Sequence, residues 1–161
     1  MNTSTFSVAG SCNHKAVEHK KKEFHKLYKD FYDRMITYIE TGSIEDRKLL
    51  NDTVIALSEM VCPTNSEKLK DLYMQKIKLF KEPMKELTEE ELKAKRAELD
   101  KLSSQIAQSF SGCLKVDVDA FRRFLCTSDG LVLIYINSKD ASTKEKAHKA
   151  LMDIISKISL M

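Results

Sequence analysis

The chain has 161 residues, 42% of them apolar and 32% charged, which is the usage of one folded domain with a full core and excludes an apolar-poor disordered chain. Only 4 glycines and 2 prolines leave little material for a strand-and-turn protein or for a phosphate-cradling loop. The formal charge of +3 is too small to point to nucleic acid or an acidic membrane as partner.

Residues 1–13 are small, polar and uncharged, and read as a flexible tail ahead of a single helical domain, 14–161. They show neither a basic n-region nor an apolar h-region, so a signal peptide is not expected. No apolar run reaches the ~18 residues that span a membrane.

The first helix is predicted over 15–41, because Phe24, Tyr28, Phe31, Met35 and Tyr38 recur at helical spacing. Thr41-Gly42 ends it, with Gly42 suited to the left-handed position after a helix. Leu27, Tyr32, Ile36 and Ile39 widen its stripe into a broad apolar arc. The arc is either central in a bundle or a surface for a partner or a second copy, and a partner is expected there.

This helix also carries the whole charge excess. Residues 14–34 hold 7 basic and 4 acidic side chains, while 35–161 hold 20 of each. Lys20-Lys21-Lys22 is the one basic run, with no apolar residue between Glu18 and Glu23. It is a candidate contact for an acidic protein, and more weakly for phosphates or acidic lipid. His14 with Glu18, and His19 with Glu23, are four apart on one face, but a metal site needs further ligands that the remaining chain does not supply. No metal and no cofactor is expected.

Ser43 is expected to cap a second helix, 44–62, with the stripe Leu50, Val54, Leu57 and Val61. Pro63 stops it. Thr64 and Glu67 suggest a capping box for a third helix, 65–82, carrying Leu69, Tyr73, Ile77 and Phe80, with Pro83 closing it. Thr88 and Glu91 form the strongest capping box of the chain. Leu87 and Leu92 are placed as its hydrophobic staple, and Leu92, Leu99, Leu102, Ile106, Phe110 and Cys113 form the stripe of the fourth helix.

Asp117 is a candidate cap for a short helix bearing Phe121, Phe124 and Leu125. Ser128-Asp129-Gly130 reads as a break. The apolar run 131–136 then reads as a short helix buried on all sides, with a buried strand as the alternative. Arg122 and Arg123 beside those aromatics are candidate interaction residues. The last helix is expected to begin with Ser142 as cap and to run to about 159.

Catalytic constellations are sparse. Cys113 or Cys126 could meet His148, assisted by Asp117 or Asp119, but no spacing favours this over burial of both thiols. Cys12, Cys62, Cys113 and Cys126 show no Cys-x-x-Cys pattern, so reduced thiols in a cytoplasmic protein are expected. Two disulfides in a secreted helical ligand are the alternative. The sequence therefore predicts an all-α fold, a compact bundle of six or seven helices. The expected function is a non-enzymatic adaptor or regulator that binds another protein, as a helix in a groove, or binds itself. A small enzyme or ligand carrier with a pocket between helices is the other alternative.

Overall fold

A computed structural model describes residues 14–82, 87–111 and 117–157, with side chains from residue 22 onward. Six α-helices run along them: α1 (His14–Thr41), α2 (Ile44–Val61), α3 (Ser66–Lys81), α4 (Glu89–Ser111), α5 (Val118–Asn137) and α6 (Ala141–Lys157). A 3-10 turn, Pro63–Asn65, joins α2 to α3. No strand occurs among the described residues. The all-α bundle expected from the apolar periodicity is the observed fold. The expected tail, residues 1–13, lies outside the described residues, as do Pro83, Gly112, Cys113 and the end of the last predicted helix.

Local chemistry explains most helix ends. Gly42 takes φ +65, a conformation open to glycine, and its N–H donates to the Tyr38 carbonyl at 2.7 Å. Ser43 Oγ accepts from the Asp46 N–H at 3.1 Å and starts α2. Asp46 in turn accepts from the hydroxyls of Thr41 and Ser43, at 2.6 and 2.8 Å, which holds its carboxyl below the usual range. The Thr88–Glu91 box forms as a reciprocal pair: the Glu91 N–H donates to Thr88 Oγ1 at 3.1 Å and the Thr88 N–H to Glu91 Oε1 at 3.0 Å. Asp117 Oδ1 accepts from the Ala120 N–H at 3.1 Å and caps α5.

Three expected boundaries are corrected. Thr64 caps nothing, because Pro63 opens a 3-10 turn and α3 begins without a side-chain cap. Asp140, not Ser142, caps α6: its carboxylate accepts from the Thr143 N–H at 3.2 Å and the Thr143 hydroxyl at 2.7 Å. A carboxylate is the stronger partner for the positive end of a helix. Ser128-Asp129-Gly130 does not break the chain, since α5 runs unbroken from Val118 to Asn137. The run 131–136 is its C-terminal part, and it is not buried all round, for Ile134 keeps 49% of its surface exposed.

Each helix packs on the next along the chain, and α6 packs back on α1, which closes the bundle; α1 also touches α3. The predicted stripes of α2 and α3 lie in the core, whereas Leu92 of the α4 stripe is 38% exposed. Leu50, Val54, Leu57 and Val61 of α2 and Leu69, Tyr73, Ile77 and Phe80 of α3 are buried. The α1 arc goes the same way: Tyr32 and Ile36 are buried beside Phe24, Tyr28, Phe31 and Met35, and Leu27 packs against them half-buried. Tyr32 and Ile36 are thus central in the bundle, while Leu27 and Ile39 stay half-buried at its edge. Tyr28 is its hub, ringed by Phe31 and Tyr32 of its own helix, Phe110 of α4, and Phe121 and Phe124 of α5. Tilted and edge-on aromatic pairs of this kind add to the burial itself.

Candidate functional site

The polar centre of the bundle was not legible from spacing. Lys76 of α3 and Asp129 of α5 pair at 3.0 Å with neither side chain exposed. The Ser103 hydroxyl of α4 donates to Asp129 Oδ2 at 2.8 Å, and Lys76 Nζ donates to Ser103 Oγ at 3.2 Å. The Tyr32 hydroxyl reaches Asp129 Oδ1 at 3.5 Å, and the Tyr28 and Tyr73 hydroxyls bond each other nearby. Burial pushes the Asp129 carboxyl up, while Lys76 and Ser103 pull it back. Burial also raises the Tyr28, Tyr32 and Tyr73 phenols, far beyond reach of neutral pH. Among the described residues, the buried Ser58 hydroxyl has no hydrogen-bond partner. Lysine, serine and aspartate here resemble a catalytic set in type only. All three are closed to solvent, so the set joins α3, α4 and α5 as a structural tie.

Of the two candidate nucleophiles, Cys126 is not assembled with His148 among the described residues. Cys126 is a half-buried free thiol, raised to about 11 by burial first and then by Asp100. Arg122 is the one cause acting to lower it and ranks last, so the thiolate is disfavoured. His148 is engaged elsewhere, with Nε2 at 2.9 Å from Asp33 Oδ1 on α1. Asp117 serves its cap, and Asp119 lies 3.9 Å from Arg122. Cys113 and the side chains of His14, Glu18 and His19 lie outside the described residues. Among the described residues, no three His, Cys, Asp or Glu side chains converge as metal ligands.

The thiols depart from expectation in one respect: Cys62, buried at the end of α2, is disulfide-bonded. Sequence separation carries no information on which cysteines meet in space.

The candidate interaction residues are dispersed. Tyr32 and Ile36 are withdrawn from any surface by burial, and Leu27 is half taken up by the core. Lys22 is exposed on α1, and Lys20 and Lys21 precede it in the helix with side chains outside the described set. Arg123 is exposed, and Arg122 is half-buried on α5 beside Asp119.

Instead, the structure opens a cleft of about 660 Å³ between α4 and α5. Thr127, Gly130, Leu131, Ile134 and Asn137 form its α5 wall, spaced as one helix face. Leu92, Lys93 and Arg96 form the α4 wall. Leu92 is 38% exposed, facing this cleft and not closed away as a staple. Arg96 fills the notch at Gly130: its Nη2 donates to the Cys126 carbonyl at 3.0 Å, and a Cβ at Gly130 would stand 2.7 Å from Nη1. Glycine thus gives the Arg96 guanidinium its close approach here and makes no turn. Sequence alone hid this, because an isolated glycine after Ser-Asp carries the ordinary signature of a turn. No helix among the described residues is long and apolar enough to cross a membrane.

No family model, no curated protein and no solved structure matches the chain.

Proposed function

We propose that the chain is a non-enzymatic interaction module, an adaptor or regulator, and that it receives an apolar helix of another protein in the cleft between α4 and α5. The observation that carries this reading is the pairing of Ile134 and Leu92, 49% and 38% exposed, across a cleft with a mostly aliphatic lining. A groove between two helices takes a third helix through residues spaced three and four apart. Lys93 and Arg96 on its edge favour a partner with acidic residues beside its apolar stripe.

The test is quantitative affinity capture from the native source with the wild-type chain, Ile134→Glu and Ile44→Glu. Ile44 is 82% exposed on α2, away from the cleft. A partner retained by the wild type and by Ile44→Glu, and lost by Ile134→Glu, supports the reading. A partner set indifferent to Ile134→Glu overturns it.

The disulfide at Cys62 favours a second reading, a secreted helical-bundle ligand, because disulfides persist in oxidising compartments. The cytoplasmic setting expected from the cysteine pattern requires this thiol reduced. Counting free thiols under denaturing conditions, on protein taken from its native source, separates the two: four free thiols return the module to the cytoplasm.

A further inference from the structure

A second cavity lies on another face of the bundle and is independent of the α4–α5 cleft. It is a cup of about 420 Å³ where α1, α2 and α3 meet. Its apolar side is made by Tyr38, Leu50, Met74 and Ile77. Leu50 and Ile77 belong to the core, so the cup reaches down to it. Met74 is half-buried, and its thioether chain adapts to the shape of an apolar guest.

The cup also collects positive charge. Arg47 approaches from α2, and Lys78 and Lys81 from α3, against the single carboxylate of Glu82. Among the described residues, none of these three cations makes an ion pair. Lys81 is held in place nonetheless: its Nζ lies 4.9 Å from the centroid of the Tyr38 ring, and a Cβ on Gly42 would stand 3.2 Å from it. The body of the chain is neutral, with 20 basic and 20 acidic residues over 35–161, so three unpaired cations at one cavity are a local excess.

We infer that this cup binds a single-chain anionic amphiphile, with its carboxylate between Arg47, Lys78 and Lys81 and its chain on Leu50, Met74 and Ile77. A free inorganic anion would leave the apolar side wet. A neutral apolar ligand would cover cations without meeting them, which is unfavourable. A two-chain lipid exceeds a cavity in the lower part of the range that takes drug-sized ligands. A carboxylate with one unbranched chain satisfies both sides of the cup.

The test uses the full chain with its methionine methyl groups carbon-13 labelled. Dodecanoate is added below the concentration at which it self-assembles. Dodecyltrimethylammonium and inorganic phosphate are the matched probes for chain and charge. The Met74 methyl resonance is expected to shift saturably with dodecanoate, and to respond much more weakly to the other two. Lys78→Gln with Lys81→Gln is expected to weaken dodecanoate binding by about tenfold to about a hundredfold, as for the loss of charged hydrogen-bond donors. Ile134→Glu leaves it unchanged. Arg47→Gln, at an exposed position of another helix, repeats the test if the double variant does not fold. An unmoved Met74 methyl, an equal response to the cationic amphiphile or to phosphate, or full binding in the lysine variant would each overturn the inference.

Discussion

Lys76 and Asp129 meet at 3.0 Å with both side chains closed to solvent, and the contact ties α3 to α5 through the centre of the bundle. Neither charge has another ionic partner of comparable closeness, so each depends on the other. Removing one leaves a buried charge, at a cost of about 3–5 kcal/mol. Asp129→Ala and Lys76→Met are each expected to fall by that amount in urea unfolding. Lys76→Met with Asp129→Leu is expected to recover wild-type stability or exceed it by ~1–4 kcal/mol, because two desolvated charges are replaced by apolar volume. A double variant as unstable as the worse single one would show that the pair itself is a net source of stability.

The same pair sets a pH dependence with a defined sign. Burial holds the Asp129 carboxyl above its ordinary value, so the folded state binds this proton more tightly than the unfolded chain does. The stability linked to it is present below the unfolded pKa of ~3.9 and is lost as pH rises through the higher folded value. Glu91 and Asp140 act in the opposite sense, because backbone and hydroxyl hydrogen bonds lower them. Comparing the wild type with the Lys76→Met, Asp129→Leu variant isolates the Asp129 contribution. As pH rises above the unfolded carboxyl value of ~3.9, the wild type should lose ground to that variant. A gap that is flat, or that moves the other way, contradicts the raised carboxyl.

Gly130 is explained by Arg96, and a double-mutant cycle reads this directly. Alanine at 130 gains helix propensity of about 0.5–1 kcal/mol. Its Cβ, however, meets Arg96 Nη1 at 2.7 Å and displaces the guanidinium from the Cys126 carbonyl, forfeiting a hydrogen bond of about 1 kcal/mol or more. Gly130→Ala is therefore expected to be near neutral in the wild type. In an Arg96→Ala background it should stabilise by about 1 kcal/mol. Equal effects in the two backgrounds would remove Arg96 as the reason for the glycine.

The helix ends were legible because their chemistry is local. Ser43, Thr88 and Asp117 each act within a few residues of themselves, and Gly42 needs only its own φ. The apolar stripes were legible for a similar reason, since burial of α1 through α3 follows helical periodicity. Lys76, Ser103 and Asp129 were not, because each looks like a solvated residue until its partner arrives from another helix. Gly130 reads as a break on the same ground: its reason sits on α4. Exposure of Ile134 and Leu92 depends on how far two helices stand apart, which periodicity does not encode. The Arg47, Lys78 and Lys81 cup joins two helices in the same way.

Cys126 should be slow to alkylate. Its thiol is raised to about 11, with burial as the main cause and Asp100 as the next, against an ordinary cysteine value of ~8.5. At neutral pH the thiolate population, and with it the rate toward iodoacetamide, should be lower by a factor of roughly a hundred or more. Mass-spectrometric peptide mapping follows this residue separately from Cys62, which is expected to resist alkylation until the disulfide is reduced. Rapid labelling of Cys126 in the folded protein would show that the α4–α5 seam opens far more often than its packing implies.

The Thr88–Glu91 box links local chemistry to the proposed docking cleft, since Leu92 and Lys93 lie immediately beyond it on the α4 wall. Thr88→Ala removes the hydroxyl that accepts from the Glu91 N–H and should cost about 1 kcal/mol. Thr88→Ser keeps that acceptor and should cost much less. Loss of the cap frays the first turn of α4, so amide hydrogen exchange should quicken over 89–92 while the buried stretch around Leu99 to Phe110 stays protected. A partner helix seated on Leu92 would meet this frayed turn, and its affinity for Thr88→Ala should fall along with the order of that turn. If exchange over 89–92 is unchanged by Thr88→Ala, the cap does not hold the cleft wall, and the start of α4 is fixed by packing instead.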